Sequence, residues 1–155
     1  MKRGSYIAIL IAVLVAVGIY NMPKKPALEA DQQISEKDLM LDSAIALVNG
    51  AGSPMQGIML MRKILEENPE YGRAHFQMGL FSIQSGQFEK AITRFEKVLE
   101  LEPENVECLY FLGNAHSNLG NKAEAISYLE DFVGKTEDED SKAEVEKIVE
   151  QLKNT

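Results

Sequence analysis

One spacing recurs along most of this chain, because small, apolar and proline residues return every 34 residues. Shifting the sequence by 34 places Pro69 on Pro103 and Gly79 on Gly113. Four further positions match in three successive copies: Gly52, Gly86 and Gly120; Gly57, Ala91 and Ala125; Met61, Phe95 and Leu129; Ile64, Val98 and Phe132. So many matches at one offset predict a chain built from stacked copies of one supersecondary unit.

The glycines and prolines at these positions suit close helix contacts and helix ends. Gly79 and Gly113 fit a place where two helix backbones touch and a side chain would hold them apart. Gly86 and Gly120 suit the end of the first helix, where a left-handed residue is least costly as glycine. Pro69 suits the end of the second helix, because the residue before a proline avoids helical geometry.

The register resembles the tetratricopeptide repeat (TPR), a helix–turn–helix unit of 34 residues. The resemblance implies an all-α fold, an α-solenoid of three units at 38–71, 72–105 and 106–139. The middle unit matches the pattern best. The third has Glu137 where proline is expected, and its other small residues are in place.

The first unit is degenerate. It has Ile45 where a small residue is expected, Gly57 in place of alanine and Met61 in place of phenylalanine. Ser53 and Pro54 nevertheless predict the start of its second helix, as an N-cap followed by proline at the first helical position.

A helix is predicted at 141–153 to cap the solenoid, whose last unit would otherwise expose an apolar face. One apolar stripe marks that helix: Val145, Ile148, Val149 and Leu152. Ser141 and Glu144 have the spacing of a capping box at its start.

The N-terminal region has a different composition. Residues 5–22 are uncharged and almost wholly apolar, and about twenty helical residues span the hydrocarbon core of a bilayer. We expect a single transmembrane signal-anchor helix there, followed by a linker at 23–37. A cleavable secretory signal, cut after the Ala16–Gly18 segment, is the alternative.

Charges beside this apolar run favour one orientation. Lys2, Arg3 and the amino terminus precede it, and Lys24 and Lys25 follow it. The positive-inside rule then places residues 1–4 in the cytoplasm and the repeats on the other side. In a bacterium this means a single-pass inner-membrane protein with a periplasmic domain, or a secreted periplasmic protein if the segment is cleaved.

Composition and motifs argue against several functions. The net charge of −8 lacks the basic character of nucleic-acid binders. The single cysteine, Cys108, cannot form an internal disulfide, and two histidines, His75 and His116, fall at packing positions. Without a catalytic motif, a phosphate-binding glycine loop or a third metal ligand, we expect no enzyme activity, cofactor or metal.

The TPR resemblance instead implies a concave groove lined by the first helix of each unit. The matching positions are Leu39, Asp42, Ala46 and Asn49; Arg73, Phe76, Leu80 and Ile83; Glu107, Tyr110, Asn114 and Ser117. The apolar centre of this set predicts binding of a partner peptide or helix. Cover by the linker or by a second copy, as a homodimer, is the alternative.

One specialised form of the groove is excluded. TPR proteins that hold acidic chaperone tails use lysine, arginine and asparagine at positions that here carry Asp42, Ala46, Leu80, Tyr110 and Asn114. We therefore expect no such carboxylate clamp. The sequence predicts a membrane-anchored adaptor or scaffold that binds another protein. The alternative is a structural subunit of a larger membrane complex, held by its transmembrane helix with the repeats as a spacer.

Overall fold

The computed structural model describes residues 35–154, and its regular elements are all helices in that range. They are α1 (Glu36–Ala46), α2 (Pro54–Glu67), α3 (Gly72–Gln84), α4 (Phe88–Leu101), α5 (Val106–Asn118), α6 (Lys122–Lys135) and α7 (Glu139–Asn154). A wide π-helical turn, Leu47–Ala51, follows α1. The predicted all-α fold is confirmed for this part of the chain.

Each helix packs mainly on its neighbours in sequence, as expected of a solenoid. The pairs α1–α2, α3–α4 and α5–α6 form antiparallel hairpins, α4 also packs on α5, and α7 packs on α6. The buried side chains form three clusters, one spanning α1 to α3, one joining α4 to α5 and one joining α5, α6 and α7. Each cluster holds neighbouring helix pairs together, so no pair has a core of its own.

Close approach within each pair depends on a missing side chain. A Cβ atom added at Gly79 would lie 2.6 Å from the ring of Phe95 on α4. A Cβ atom added at Gly113 would lie 2.5 Å from Leu129 on α6. Both distances are well below van der Waals contact, so glycine fixes the separation of the two backbones, as the repeat pattern predicted.

In the first pair, α1 and α2 also approach closely, but the glycine at the contact lies on the other helix. Here the small residue is on the second helix, and a Cβ atom added at Gly57 would lie 2.5 Å from the carbonyl oxygen of Ala44. Ile45 is half-buried and packs against the first core cluster. The degenerate unit has therefore moved its contact glycine from the first helix to the second.

In two of the three helix pairs, the turn between the two helices ends in a glycine with left-handed geometry. The φ angle is +68° at Gly86 and +77° at Gly120. The first pair instead turns through Gly50, whose φ is +111°. These positive values are strained for any residue with a side chain.

Helix starts match the sequence prediction at one end of the fold and not at the other. Ser53 is the N-cap of α2 with proline next to it, although its hydroxyl makes no capping bond. The predicted capping box at Ser141 is wrong, because α7 begins at Glu139 and Ser141 lies inside it. Asp138 takes that role, since its Oδ1 accepts from the Asp140 N–H at 3.2 Å and its Oδ2 from the Ser141 hydroxyl at 2.6 Å.

Several predicted segments fall outside the described residues. They are 1–4, the transmembrane segment 5–22 and most of the linker 23–37, whose last two residues belong to α1. Within 35–154, no helix combines the length and apolar character needed to cross a membrane.

Alanine at Gly79 is expected to lower the free energy of unfolding by about 1–3 kcal/mol, because its methyl group would overpack against the fully buried Phe95. Urea unfolding of the full chain, followed by circular dichroism, measures this change.

Gly134 is the matched control, because it also lies in a helix but a Cβ atom there meets nothing within 4 Å. Gly134→Ala should raise stability by about 0.5–1 kcal/mol through helix propensity alone. A similar rise for Gly79→Ala would show that α3 and α4 do not approach as closely as described.

Candidate functional site

The predicted groove residues of α1, α3 and α5 form one surface, here called the first-helix face. Helix α3 contacts α1 through an ion pair, in which the guanidinium of Arg73 lies 2.6 Å from the carboxylate of Asp42. Helix α3 contacts α5 through two aromatic rings, because the ring centroid of Phe76 lies 5.8 Å from that of Phe111. The three helices therefore present neighbouring strips of the same surface.

Every predicted groove residue that the structure describes has some exposed surface. The exposed ones are Leu39, Asp42, Ala46, Asn49, Arg73 and Glu107, and the half-buried ones are Phe76, Leu80, Ile83, Tyr110, Asn114 and Ser117. Asn49 was expected on the first helix and this is wrong. It lies in the π-helical turn after α1, because the chain must reach the left-handed Gly50 there.

The apolar centre of the first-helix face also belongs to the core. Phe76 packs edge-on against Phe95 at 5.6 Å and against Phe111 at 5.8 Å, and Phe95 and Phe111 stack at 5.3 Å. Leu80 and Ile83 pack against the same cluster. These side chains offer a ligand only their outer surface, so replacing them would also disturb the fold.

A polar network closes the N-terminal end of this face. Arg73 pairs with Asp42 at 2.6 Å and with Asp38 at 3.3 Å, and the Tyr71 hydroxyl donates to Asp38. Burial and the bond to Asp38 raise the pKa of Tyr71 to about 12. Arg73 is the single cation among the predicted groove residues, and its charge is already matched by these carboxylates.

A pocket of about 450 Å³ opens at the C-terminal end of the face, here called the end pocket. Its apolar lining residues are Val106, Tyr110, Phe111, Phe132 and Val145. Its polar lining residues are Glu107, Thr136, Asp138, Ser141 and Glu144. Helices α5, α6 and α7 and the α6–α7 connection all contribute to it.

Among the described residues, the three carboxylates that line the end pocket have no basic partner. Glu107, Asp138 and Glu144 form no ion pair with any residue in 35–154. The Ser141 hydroxyl and the backbone N–H groups of Asp140 and Ser141 lower the pKa of Asp138, so it stays ionised. The pocket thus combines an aromatic floor with uncompensated negative charge.

Of the residues that line the end pocket, the sequence predicted only Glu107 and Tyr110 as ligand contacts. It did not predict Phe111 and Phe132, whose positions in the repeat are typical of the core, or the residues of the α6–α7 connection and α7. The family pattern places ligand contacts on first helices, whereas here the capping helix supplies one wall. The acidic run beginning at Glu137 was the available signal for that wall.

The other reactive residues serve packing. Cys108 is fully buried, and burial together with Glu107 and Glu102 raises the pKa of its thiol to about 12. His116 stacks on Tyr128 with ring centroids 5.4 Å apart. Within 35–154, no three histidine, cysteine or acidic side chains are placed to share a metal ion.

His75 is buried between the first and second helix pairs. Its Nδ1 accepts from the Arg94 guanidinium at 3.2 Å, so its Nε2 carries the proton that is donated to the Pro69 carbonyl at 2.9 Å. Burial, opposed by the bond to Pro69, lowers the pKa of His75, and the positive charges of Arg94 and Lys97 lower it further. The imidazole is therefore held neutral.

Successive antiparallel helix pairs that pack on one another define a TPR-like helical repeat architecture. The family described as "Regulator of microtubule dynamics protein 1-3" matches residues 62–153, which is more than half of the chain. The chain belongs to this family.

Other relatives share shorter segments or the fold alone. The CTR9 homolog of Arabidopsis thaliana is 33% identical over 76 residues, which cover 47% of this chain and 7% of that protein. MamA of Desulfovibrio magneticus RS-1 matches with a TM-score of 0.60 and 19% identity, covering 77% of this chain and 76% of its own.

Two further solved structures share the fold. YrrB, a TPR protein with an unusual peptide-binding site, matches with a TM-score of 0.63 and 21% identity over 74% of this chain and 59% of its own. A chain of the CopN-Scc3 complex matches with a TM-score of 0.65 and 18% identity over 74% of this chain and 71% of its own. These likenesses establish a TPR-like architecture.

Folding stability is expected to fall as pH drops from about 7.5 to about 5, because His75 gains a proton more readily in the unfolded chain than in the fold. Its contribution is complete above the ordinary histidine pKa and is lost as pH falls through the lower folded value. Thermal unfolding at both pH values measures this loss.

His75→Gln should reduce that pH dependence, since an amide can still donate and accept but does not titrate. His116→Gln, the matched control, should keep the steeper fall of the wild type. An undiminished fall in His75→Gln would mean that His75 is not held neutral.

Proposed function

We propose that the protein is an adaptor whose first-helix face and end pocket bind a cationic amphipathic segment of a partner protein. The observation that carries this proposal is the end pocket, where an aromatic floor adjoins three carboxylates that form no ion pair within 35–154. Such a surface favours a segment with apolar side chains on one side and lysine or arginine beside them.

The apolar part of the contact has a defined size. A pocket of about 450 Å³ is within the range that holds a small ligand or one or two large side chains. Tyr110 and Phe132, whose rings lie 5.6 Å apart, offer an aromatic wall to an aliphatic or aromatic anchor. Anchors of this kind supply most of the binding free energy in small interfaces.

Charge selects the partner. At one end the carboxylates of Asp42 and Asp38 are paired with Arg73, whereas at the other end Glu107, Asp138 and Glu144 form no ion pair within 35–154. The net charge of −8 also steers positive partners toward the protein. A basic segment would therefore bind with its positive residues near α7, and the binding should weaken as salt screens the charges.

The comparisons support a role in protein–protein interaction. YrrB has a peptide-binding site, and another chain of this fold comes from the CopN-Scc3 complex. The name of the family to which the chain belongs adds proteins of the microtubule system to the candidate partners. An apolar run at residues 5–22 would hold the adaptor at a membrane, and extraction of membranes at alkaline pH tests that tether.

Replacing Glu107 and Glu144 by lysine is expected to weaken binding of a synthetic leucine–lysine helix by about tenfold or more, since two attractions become repulsions. Both residues are exposed, so the fold should be kept. Fluorescence anisotropy of the labelled peptide with the full chain in mild detergent measures the affinity, at low and high salt.

Glu150→Lys is the matched control, because it makes the same change on an exposed residue of α7 outside the end pocket. It should bind nearly as tightly as the wild type, and a leucine–glutamate helix should not bind. Equal affinity of the Glu107/Glu144 variant and the wild type would falsify the end pocket as the contact surface.

A further inference from the structure

The second helices of the first two pairs carry a positively charged surface, opposite in sign to the end pocket. A cleft of about 600 Å³ lies between α2 and α4 with α3 at its base, here called the second-helix cleft. Eight residues line it: Arg62, Leu65, Glu66, Met78, Ser82, Lys90, Thr93 and Arg94. Three of these eight side chains are cations, in a chain whose net charge is −8.

The three cations of this cleft form no ion pair within 35–154. All the ion pairs there involve basic residues other than Arg62, Lys90 and Arg94. Among the described residues, the Lys90 ammonium donates only to the neutral side chain of Gln87, at 2.5 Å. Three positive charges therefore line one cleft without an ion pair in this part of the chain, and their repulsion favours an anion.

Arg94 is held in place by a neutral group. Its Nη1 donates to Nδ1 of the buried His75, whose other ring nitrogen is fixed by the Pro69 carbonyl. This is the one hydrogen bond that Arg94 makes within the described part of the chain. The contact orients the guanidinium without cancelling its charge, so its other N–H groups are free for a ligand.

Arg62 lies close enough to Arg94 for its positive charge to act on the Arg94 guanidinium. Burial lowers the pKa of the half-buried Arg94, and the positive charge of Arg62 lowers it further. Glu66 also lines the cleft but lies beyond ion-pair distance of all three bases. One carboxylate against three cations leaves the cleft positive.

We propose that the second-helix cleft binds a phosphate group through Arg62, Lys90 and Arg94. A guanidinium matches two phosphate oxygens with parallel hydrogen bonds, and an ammonium adds a point charge. Phosphate could come from a small soluble molecule, for which the volume of the cleft is ample, or from a lipid headgroup. This site is separate from the first-helix face and does not depend on its partner.

Calorimetric titration of the full chain in mild detergent with inorganic phosphate tests the site, against sodium chloride of matched ionic strength. Arg62→Gln should weaken phosphate binding by roughly tenfold or more, the loss expected for one hydrogen bond between charged groups. The Arg62 side chain is exposed and makes no hydrogen bond to another residue in 35–154, so this variant should fold normally. Arg94→Gln should weaken binding similarly, with its stability checked by thermal unfolding.

Lys147→Gln is the control, because it removes one exposed cation of α7 outside the cleft. It should bind phosphate like the wild type. Equal binding by wild type and Arg62→Gln, equal losses in Arg62→Gln and Lys147→Gln, or no phosphate binding at all would each overturn the proposal.

Co-sedimentation distinguishes the two sources of phosphate. The full chain is mixed with vesicles of phosphatidylglycerol or of phosphatidylcholine. Preferential binding to the anionic vesicles that Arg62→Gln reduces and Lys147→Gln keeps would assign the site to a lipid headgroup. Phosphate binding without such a preference would assign it to a soluble phosphorylated molecule.

Discussion

Close contact between the two helices of each pair is the constraint on which the rest of the structure depends. At Gly79 the backbone of α3 meets the ring of Phe95, and at Gly113 the backbone of α5 meets Leu129. Both partners are almost fully buried, so neither can move aside cheaply. The same Phe95 ring stacks on Phe111 of the next pair, so the spacing within one pair also sets the packing between pairs.

That packing separates two surfaces of opposite charge. First helices and the capping helix bring the carboxylates of Glu107, Asp138 and Glu144 around an aromatic floor. Second helices bring Arg62 and Arg94 to the lining of a larger cleft. Because neither set is neutralised by ion pairs within the described residues, each surface favours a ligand of the opposite sign. The two proposed ligands, a basic segment and a phosphate group, would therefore bind at separate sites.

The first pair shows how a repeat keeps its geometry while its sequence changes. Gly57 provides the close approach that Gly79 and Gly113 provide elsewhere, although it lies on the other helix. The turn widens through Gly50, and Asn49 consequently leaves the helical face on which the repeat pattern placed it. What is kept is a close approach of the two helices at a glycine, since the core between pairs tolerates little change in volume.

The sequence by itself determined the helix pairs, their register and the positions of close contact, because glycine and proline impose local backbone geometry wherever they occur. Through the TPR resemblance it also marked one face of the first helices, whose groove positions lie three or four residues apart and share a side. Only the tertiary structure decided that Phe76, Leu80 and Ile83 belong partly to the core, and that α7 completes the end pocket. It likewise decided that Arg62 and Arg94, 32 positions apart in the sequence, meet beside one cleft. These juxtapositions depend on how successive pairs stack, and no spacing within a single helix encodes them.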